Sequence, residues 1–308
     1  MATVSLKHAG NDPFEGVNLG RLERSLMRPR TLFGVIFSSG VTVITCVALV
    51  PLFSVLWMLG VRGSARLGWA AFTQLPPAPL DAQGGFGNAL LGTTVMVVLA
   101  GVLSVPLGVL TGVFLSEAEP ESRFASGVRF AAKVLTGLPS ILAGVFAYGS
   151  VVLLMGGFSA IAGALALSIL MLPTIVLSAE EAMRSVPKRI REAAVGMGTT
   201  PSQTVWMVTL PAAGSGILTG IMLAVARAAG ETAPLLFTAL FSNYWITSTG
   251  ALDLKQPTAS LAVLIFNFAG VPFENQVELA WAAALVLVLM VFVSNLAGRA
   301  LSSRGRSA

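Results

Sequence analysis

The chain has 308 residues, of which 55% are hydrophobic and only 11% are charged, whereas soluble globular domains carry roughly 25% charged residues. Because one soluble core cannot hide that much apolar surface, the composition excludes an ordinary soluble domain and predicts an integral membrane protein. The formal net charge of +5 then bears on membrane topology and anionic lipid rather than on nucleic acid.

The chain has few residues from which a catalytic or metal site could be built. It contains a single cysteine, Cys46, in an apolar run, and a single histidine, His8, in the polar N-terminal tail. A disulfide framework and a metal site of Cys and His ligands are therefore both excluded. No lysine follows a glycine, so the GxxxxGK(S/T) phosphate-binding loop is absent. We predict no catalytic residue, no metal and no cofactor for the chain itself.

Apolar runs divide the chain after a polar tail of residues 1–31. Each run reaches the roughly 20 residues that a transmembrane helix needs, which predicts an all-α integral membrane protein with six transmembrane helices. An acidic and basic loop is predicted at 116–133, and Gly156-Gly157 predicts a tight turn between the third and fourth spans. The predicted spans are about Leu32–Val61, Asn88–Leu115, Val134–Met155, Phe158–Leu177, Ala212–Leu240 and Glu278–Ala300.

Lysine and arginine are distributed unevenly between the two sides of these spans. With six spans the two termini share a side, and the segments on that side carry fifteen of the nineteen basic residues. The opposite segments carry only Arg62, Arg66 and Lys255, while Arg227 lies inside span five. By the positive-inside rule, both termini and the loop between spans four and five are predicted to be cytoplasmic.

That loop contains a polar, basic island from Ser185 to Pro211, which the sequence predicts as two short helices joined by a bend. Pro187 suits the start of the first helix, and Gly198 suits its C-terminus, where a positive φ is wanted. One face of the first helix is an apolar stripe at i, i+3, i+4 and i+7, formed by Ile190, Ala193, Ala194 and Met197.

The second helix of the island is predicted to begin with a capping box and to run to about Thr209. Thr200 and Gln203 have the box spacing, with Pro201 at the first helical position. A helix, bend and helix between membrane spans is typical of a docking element for a protein outside the bilayer.

Span five contains two opposite charges one helical turn apart. Burying an arginine near the bilayer interior costs about 2.5–3.5 kcal/mol even on a lenient insertion scale, and Glu231, at i+4, can meet Arg227 on one face. One interpretation is a structural ion pair. The other is an anion pathway, because the guanidinium fork suits phosphate oxygens. Gly230 and Pro234 predict a locally opened helix whose N–H groups could also face an anion.

The segment between spans five and six includes an apolar stretch, Ala259–Phe268, that is too short to cross the membrane. It predicts a re-entrant or interfacial helix on the outer side, within residues 255–270.

The basic island resembles the EAA loop of ABC-transporter permeases, whose pattern is E-A-A, three residues, G, nine residues and I-x-L-P. Val208 stands where the pattern has isoleucine. In that family the loop is the coupling helix that inserts into a cytoplasmic ATPase. The resemblance implies a type I ABC importer permease (MetI-like) bundle in which ATP is bound by a partner. The implied ATPase-coupling residues are Ile190, Glu192, Ala193, Ala194, Met197, Gly198, Leu210 and Pro211.

A second stretch, RAAGETAPLLFTAL from Arg227 to Leu240, is similar to the R-A-x-G-E-T-A-P-L-L signature of phosphate-specific permeases in this family. The resemblance implies a substrate pathway lined by Arg227, Glu231 and Thr232, and favours the pathway interpretation. It also implies a bacterial inner-membrane complex. The implied partners are a second homologous permease subunit, a cytoplasmic ATP-binding subunit dimer, an extracytoplasmic phosphate-binding protein and membrane lipid, with no nucleic acid.

The sequence thus predicts a tail at 1–31, a six-span domain at 32–301 with a coupling loop at 183–211, and a C-terminal tail at 302–308. The predicted function is the permease subunit of an ATP-driven importer of inorganic phosphate. An ABC permease for sulfate or molybdate is the first alternative, followed by a secondary transporter and then by a membrane scaffold that moves no solute.

Overall fold

The computed structural model describes residues 29–81, 83–118, 122–248 and 250–304. Most of the predicted N-terminal tail and part of the C-terminal tail lie outside the described residues. The helices are α1 (Pro29–Ser64), α2 (Trp69–Thr73), α3 (Gly87–Val113), α4 (Arg123–Gly137), α5 (Ser140–Ala147), α6 (Leu153–Met155), α7 (Ala160–Arg184), α8 (Lys188–Gly196), α9 (Pro201–Gln203), α10 (Leu210–Ala229), α11 (Ala233–Leu236), α12 (Leu261–Ala269) and α13 (Glu274–Arg304).

Three π-helical segments interrupt or extend these helices, at Phe114–Ala118, Tyr148–Val152 and Thr204–Thr209. The strands β1 (Thr247–Ser248) and β2 (Ala251–Leu252) form a small antiparallel hairpin. The predicted all-α class is confirmed by this element order. The predicted re-entrant or interfacial segment contains the nine-residue α12, and its relation to the membrane stays a prediction.

Five helices in the described part of the chain are long and apolar enough to span a membrane, and a bent pair of helices supplies a sixth candidate. The five single candidates are Leu32–Ser64, Gly87–Glu117, Ala160–Arg184, Pro201–Ala229 and Glu274–Ala300.

The predicted bounds of the third span, Val134–Met155, are wrong, because the candidate in the structure is the bent pair Arg123–Gly137 and Ser140–Met155. Helix α4 and the segment Ser140–Met155 are bent by 104° relative to each other. The break falls at Leu138 and Pro139, which have extended backbone with ψ of 141° and 130°. Proline disfavours the helical conformation of the residue before it, so Leu138 ends the first helix.

The prediction of a loop at 116–133 is also wrong for most of its length. Helix α4 begins directly after Ser122, whose hydroxyl accepts a hydrogen bond from the Ala125 N–H at 3.1 Å. The basic residues that suggested a loop lie on this helix, where Arg129 forms an ion pair with Glu180 of α7. A helix with a charge paired inside the bundle can have the same amino-acid composition as a solvated loop, so composition could not distinguish the helix from a loop.

The predicted end of the second island helix near Thr209 is a further error. The helix continues from α9 through the π-helical segment into α10, so that Pro201–Ala229 is one span. Within the π segment the Leu210 N–H donates to the Val205 carbonyl, five residues back. We attribute the continuity to this wider turn, since a proline such as Pro211 lacks an N–H and needs room for its ring. At the other end, span five stops at Ala229 rather than at Leu240.

The chain divides into two compact units, Met1–Leu56 and Trp57–Ala308. The described side chains of the first unit, residues 32–56 of α1, are all exposed. Thr42 and Thr45 each donate a hydroxyl hydrogen bond to the carbonyl four residues earlier. No hydroxyl donor of these two residues is therefore left unpaired, which suits an apolar surrounding.

In the second unit, α7 is the central helix. In its most apolar window 61% of the residues are buried, against 28% for α3, and α3 and α10 both pack against it. Two glycines of α3, Gly108 and Gly112, lie one turn apart and face Ile175 and Ala179 of α7. Small residues at this spacing let two membrane helices approach closely, so this contact depends on the absence of side chains.

Gly112→Ala is expected to lower the thermal unfolding midpoint of the detergent-solubilised protein. A Cβ there would lie 2.6 Å from the Ala179 Cβ and 2.9 Å from the Glu180 nitrogen, and overpacking of this kind costs about 1–3 kcal/mol. Gly101→Ala in the same helix is the matched control, because a Cβ at Gly101 meets nothing within 4 Å. Equal midpoints for the two variants would show that the α3–α7 contact tolerates a methyl group.

Candidate functional site

The Arg227–Glu231 pair lies at the end of α10 opposite the coupling loop. Arg227 is in the last turn of α10, which ends at Ala229. At 1.5 Å per residue, Arg227 is roughly 25 Å along the helix from Leu210. The pair is thus near one end of span five, not near its middle.

The two side chains meet as the i,i+4 spacing predicted. The Arg227 Nε lies 3.4 Å from the Glu231 Oε1. The side chain of Arg227 is 38% exposed and that of Glu231 is 15% exposed. Among the described residues, Glu231 is the one hydrogen-bonding or ion-pair partner of the Arg227 side chain. A single long contact leaves the other N–H donors of the guanidinium available to an anion. The ion-pair interpretation alone gives these donors no role.

Helix α10 ends beside this pair, at the position where Gly230 and Pro234 predicted a locally opened helix. Gly230 caps α10, and the short helix α11 follows after Thr232. The Thr232 carbonyl accepts hydrogen bonds from the N–H groups of Leu235 and Leu236 at 3.1 and 3.2 Å. Arg227, Glu231 and Thr232 therefore all lie at the end of α10 that is opposite the coupling loop. Their role in a substrate pathway stays a prediction.

Helix α5 holds this turn from the side. A Cβ at Gly144 would lie 2.6 Å from the Pro234 Cα, so the two backbones touch at this point. Sequence reasoning missed α5 as a part of the site, because nothing local to residues 140–147 indicates which helix they pack against. The close approach fixes Pro234 and with it the direction in which the chain leaves α10.

The coupling loop has the predicted helix–bend–helix form at its start. Helix α8 follows Pro187 and ends before Gly198, which has a φ of 90°. The capping box is present. The Thr200 hydroxyl accepts from the Gln203 N–H at 3.3 Å, and the Gln203 side-chain oxygen accepts from the Thr200 N–H at 2.9 Å.

The apolar stripe of α8 is divided between the bundle and the exterior. Ala194 is 1% exposed, whereas Ile190 is 42% and Met197 is 79% exposed. Glu192 and Ala193 are also exposed. The structure therefore leaves an apolar surface on α8 uncovered in the isolated chain. The remaining predicted coupling residues, Leu210 and Pro211, lie apart from α8, where the π-helical segment joins α10.

Gly198→Ala is expected to destabilise the connection between α8 and α9. Its φ of 90° is a conformation that costs other residues about 1–2 kcal/mol. Gly196→Ala is the matched control, because Gly196 is helical and a Cβ there meets nothing within 4 Å, so alanine should favour the helix by roughly 0.5–1 kcal/mol. Limited proteolysis of the bend measures both. Slower cleavage of Gly198→Ala than of Gly196→Ala would contradict this account.

Three ion pairs join charged groups at the helix ends beside the coupling loop, and sequence reasoning found only one of them. Glu180 pairs with Arg184 at 2.9 Å, as the i,i+4 spacing indicated. The pairs Arg129–Glu180 and Arg191–Glu117 join residues 51 and 74 positions apart. No local pattern marks such pairs, since they depend on which helix ends meet.

The known proteins similar to this chain give a consistent picture. Residues 104–307 match the family described as "Binding-protein-dependent transport system inner membrane component". The chain is 39% identical over 259 residues to the "Phosphate transport system permease protein PstA" of Yersinia pestis, covering 82% of this chain and 86% of that protein. It is 40% identical over 246 residues to the protein of the same name from Xylella fastidiosa strain 9a5c, covering 80% and 84%.

Solved structures share the fold at low sequence identity. A bacterial alginate ABC transporter, solved with an alginate pentasaccharide-bound periplasmic protein, aligns with a TM-score of 0.59 at 14% identity, over 92% of this chain and 98% of that one. An inward-facing MetNI methionine ABC transporter aligns with a TM-score of 0.55 at 20% identity, over 71% and 93%.

Proposed function

Because this chain belongs to the family of binding-protein-dependent transport system inner membrane components, we propose that it is the membrane-spanning permease subunit of an ATP-driven importer of inorganic phosphate. The family resemblance and the MetI-like fold that the sequence motifs implied are both confirmed by these likenesses. The single observation that supports phosphate as the substrate is the 39–40% identity to phosphate permeases over most of both chains.

We infer that Arg227, with Glu231 and Thr232, forms part of the phosphate pathway. Phosphate carries one to two negative charges near neutral pH, and a fixed cation lowers the barrier to its entry into a low-dielectric interior. Three observations support this role: the partial exposure of Arg227, its single long contact with Glu231 and the opened helix beside it. An arginine fork can hold two phosphate oxygens at once.

We infer that the chain has no ATPase site of its own and couples to a separate ATPase through α8. The exposed part of the apolar stripe, at Ile190, Ala193 and Met197, is the surface available for that contact. Burying it in a groove of the partner would remove apolar area from water, which stabilises the complex.

The proposed assembly contains this chain, a second homologous permease subunit, a cytoplasmic dimer of ATP-binding subunits and an extracytoplasmic phosphate-binding protein. The complex lies in a bacterial inner membrane, with both termini of this chain in the cytoplasm, as the distribution of Lys and Arg favours. The binding protein then delivers phosphate at the outer side, near residues 241–277.

The test is reconstitution of the full complex in liposomes with the binding protein and ATP inside. Phosphate should accumulate against its gradient and stimulate ATP hydrolysis, whereas sulfate and molybdate should do neither. Stimulation by sulfate or molybdate alone would establish the other oxyanion as substrate. Accumulation that persists without ATP but collapses with an ion gradient would establish a secondary transporter.

A further inference from the structure

One arginine of α8 reaches back into the bundle. Both oxygens of the Glu117 carboxylate lie near the Arg191 Nη1, at 2.6 and 2.7 Å. The Arg191 Nη2 donates a hydrogen bond to the Met183 carbonyl at 2.6 Å. Glu117 belongs to the π-helical segment that extends α3, and Met183 to the last turn of α7. The side chain of Arg191 thus joins α8 to the ends of two other helices.

This contact is the main attachment of α8 to those helix ends. Among the described residues, Arg191 is the only charged side chain of α8 with a hydrogen-bonding or ion-pair partner. Ala194 is the only buried residue of the helix. The side chains of Arg191 and Glu117 are 25% and 13% exposed, and a charge-assisted hydrogen bond is shorter and stronger than one between neutral groups. The Ser116 hydroxyl, which donates to the Glu117 Oε1 at 3.0 Å, supports the carboxylate.

A second arginine joins the same two helix ends without involving α8. Arg129 of α4 donates to the Leu115 carbonyl at 2.7 Å and pairs with Glu180 of α7. The ends of α3 and α7 therefore remain joined through Arg129 when Arg191 is altered. The loss of Arg191 removes only the connection from α8 to the ends of α3 and α7.

We propose that Arg191 is a positioning residue that transmits movement of α8 to α3 and α7 through the Glu117 carboxylate and the Met183 carbonyl. This role rests on the proposed function, in which a separate ATPase moves α8. Without the contact, α8 keeps its packing against the π-helical segment Thr204–Thr209 and its chain connections, but it loses its side-chain link to the ends of α3 and α7. A displaced α8 then moves without α3 and α7, and ATP hydrolysis continues without driving these two helices.

The test measures phosphate moved per ATP hydrolysed by the reconstituted complex with its binding protein. Glu117→Arg and Arg191→Glu should each lower this ratio on the order of fivefold or more, the range of typical coupling energies between sites, with the ATPase still bound. The double variant, which exchanges the two charges, should recover part of the ratio, because the ion pair to α3 is restored in reverse whereas the hydrogen bond to the Met183 carbonyl is not. Lys188→Ala, on the same helix, is the control and should keep the ratio of the unaltered complex.

Unaltered ratios in both single variants would overturn the proposal, and so would a double variant no better than the single ones. If charge reversal prevents recovery of the complex, Glu117→Gln decides, since it keeps the shape and removes the charge. A lower ratio with the ATPase bound supports the proposal, and an unchanged ratio refutes it. Failure of the unaltered complex to accumulate phosphate with ATP would instead refute the proposed function.

Discussion

Arg227→Ala is expected to abolish phosphate uptake by the reconstituted complex while the subunits still assemble. The attraction between two unit charges 4 Å apart is about 4 kcal/mol at an effective dielectric constant of 20, which corresponds to roughly a thousandfold in rate. Because the Arg227 side chain is 38% exposed and its one contact is 3.4 Å long, its loss should cost little stability. The measurement is uptake of labelled phosphate, alongside the subunit composition of the purified complex.

Two further variants separate the roles of charge and geometry at this position. Arg227→Lys keeps the charge but loses the planar fork, so its uptake should lie between those of the unaltered protein and of Arg227→Ala. Lys255→Ala removes a basic residue placed on the same side of the membrane by the topology prediction, and uptake should be unchanged. Uptake by Arg227→Ala at the unaltered rate would show that the arginine belongs to a structural ion pair only.

Met197→Asp is expected to prevent binding of the ATPase subunits. Met197 is the most exposed residue of the apolar stripe, at 79%, and lies directly after α8. Placing a carboxylate in an apolar groove without a partner costs several kcal/mol, so the amount of ATPase that copurifies from detergent should fall by roughly a hundredfold or more.

The control for this experiment is Met197→Leu, which conserves volume and apolar character and should retain the ATPase. The unfolding midpoint of the isolated permease should be the same for both variants, since the side chain is largely uncovered before docking. Copurification of the ATPase with Met197→Asp at the level of the unaltered protein would place the docking surface elsewhere on the coupling loop.

Features that depend on residues within about one helical turn were predictable from the sequence. The positive φ of Gly198, the capping box of Thr200 and Gln203, and the meeting of Arg227 with Glu231 are of this kind. The relevant atoms are close in sequence, so their geometry follows from the helix itself. The helical class and the candidate spans were likewise predictable, with five single helices and one bent pair among the described residues, because the length of an apolar run can be compared directly with the thickness of the membrane.

The tertiary structure decided which helix ends meet and where spans bend. The charge on Arg129 suggested a loop until Glu180 of α7 was found to neutralise it, and Arg191 gained a role only through Glu117, 74 residues away. The approach of α5 to Pro234 has the same character. In an apolar bundle many helix arrangements bury similar surface, so the arrangement is selected by glycine contacts and by the pairing of distant charges, which no local pattern records.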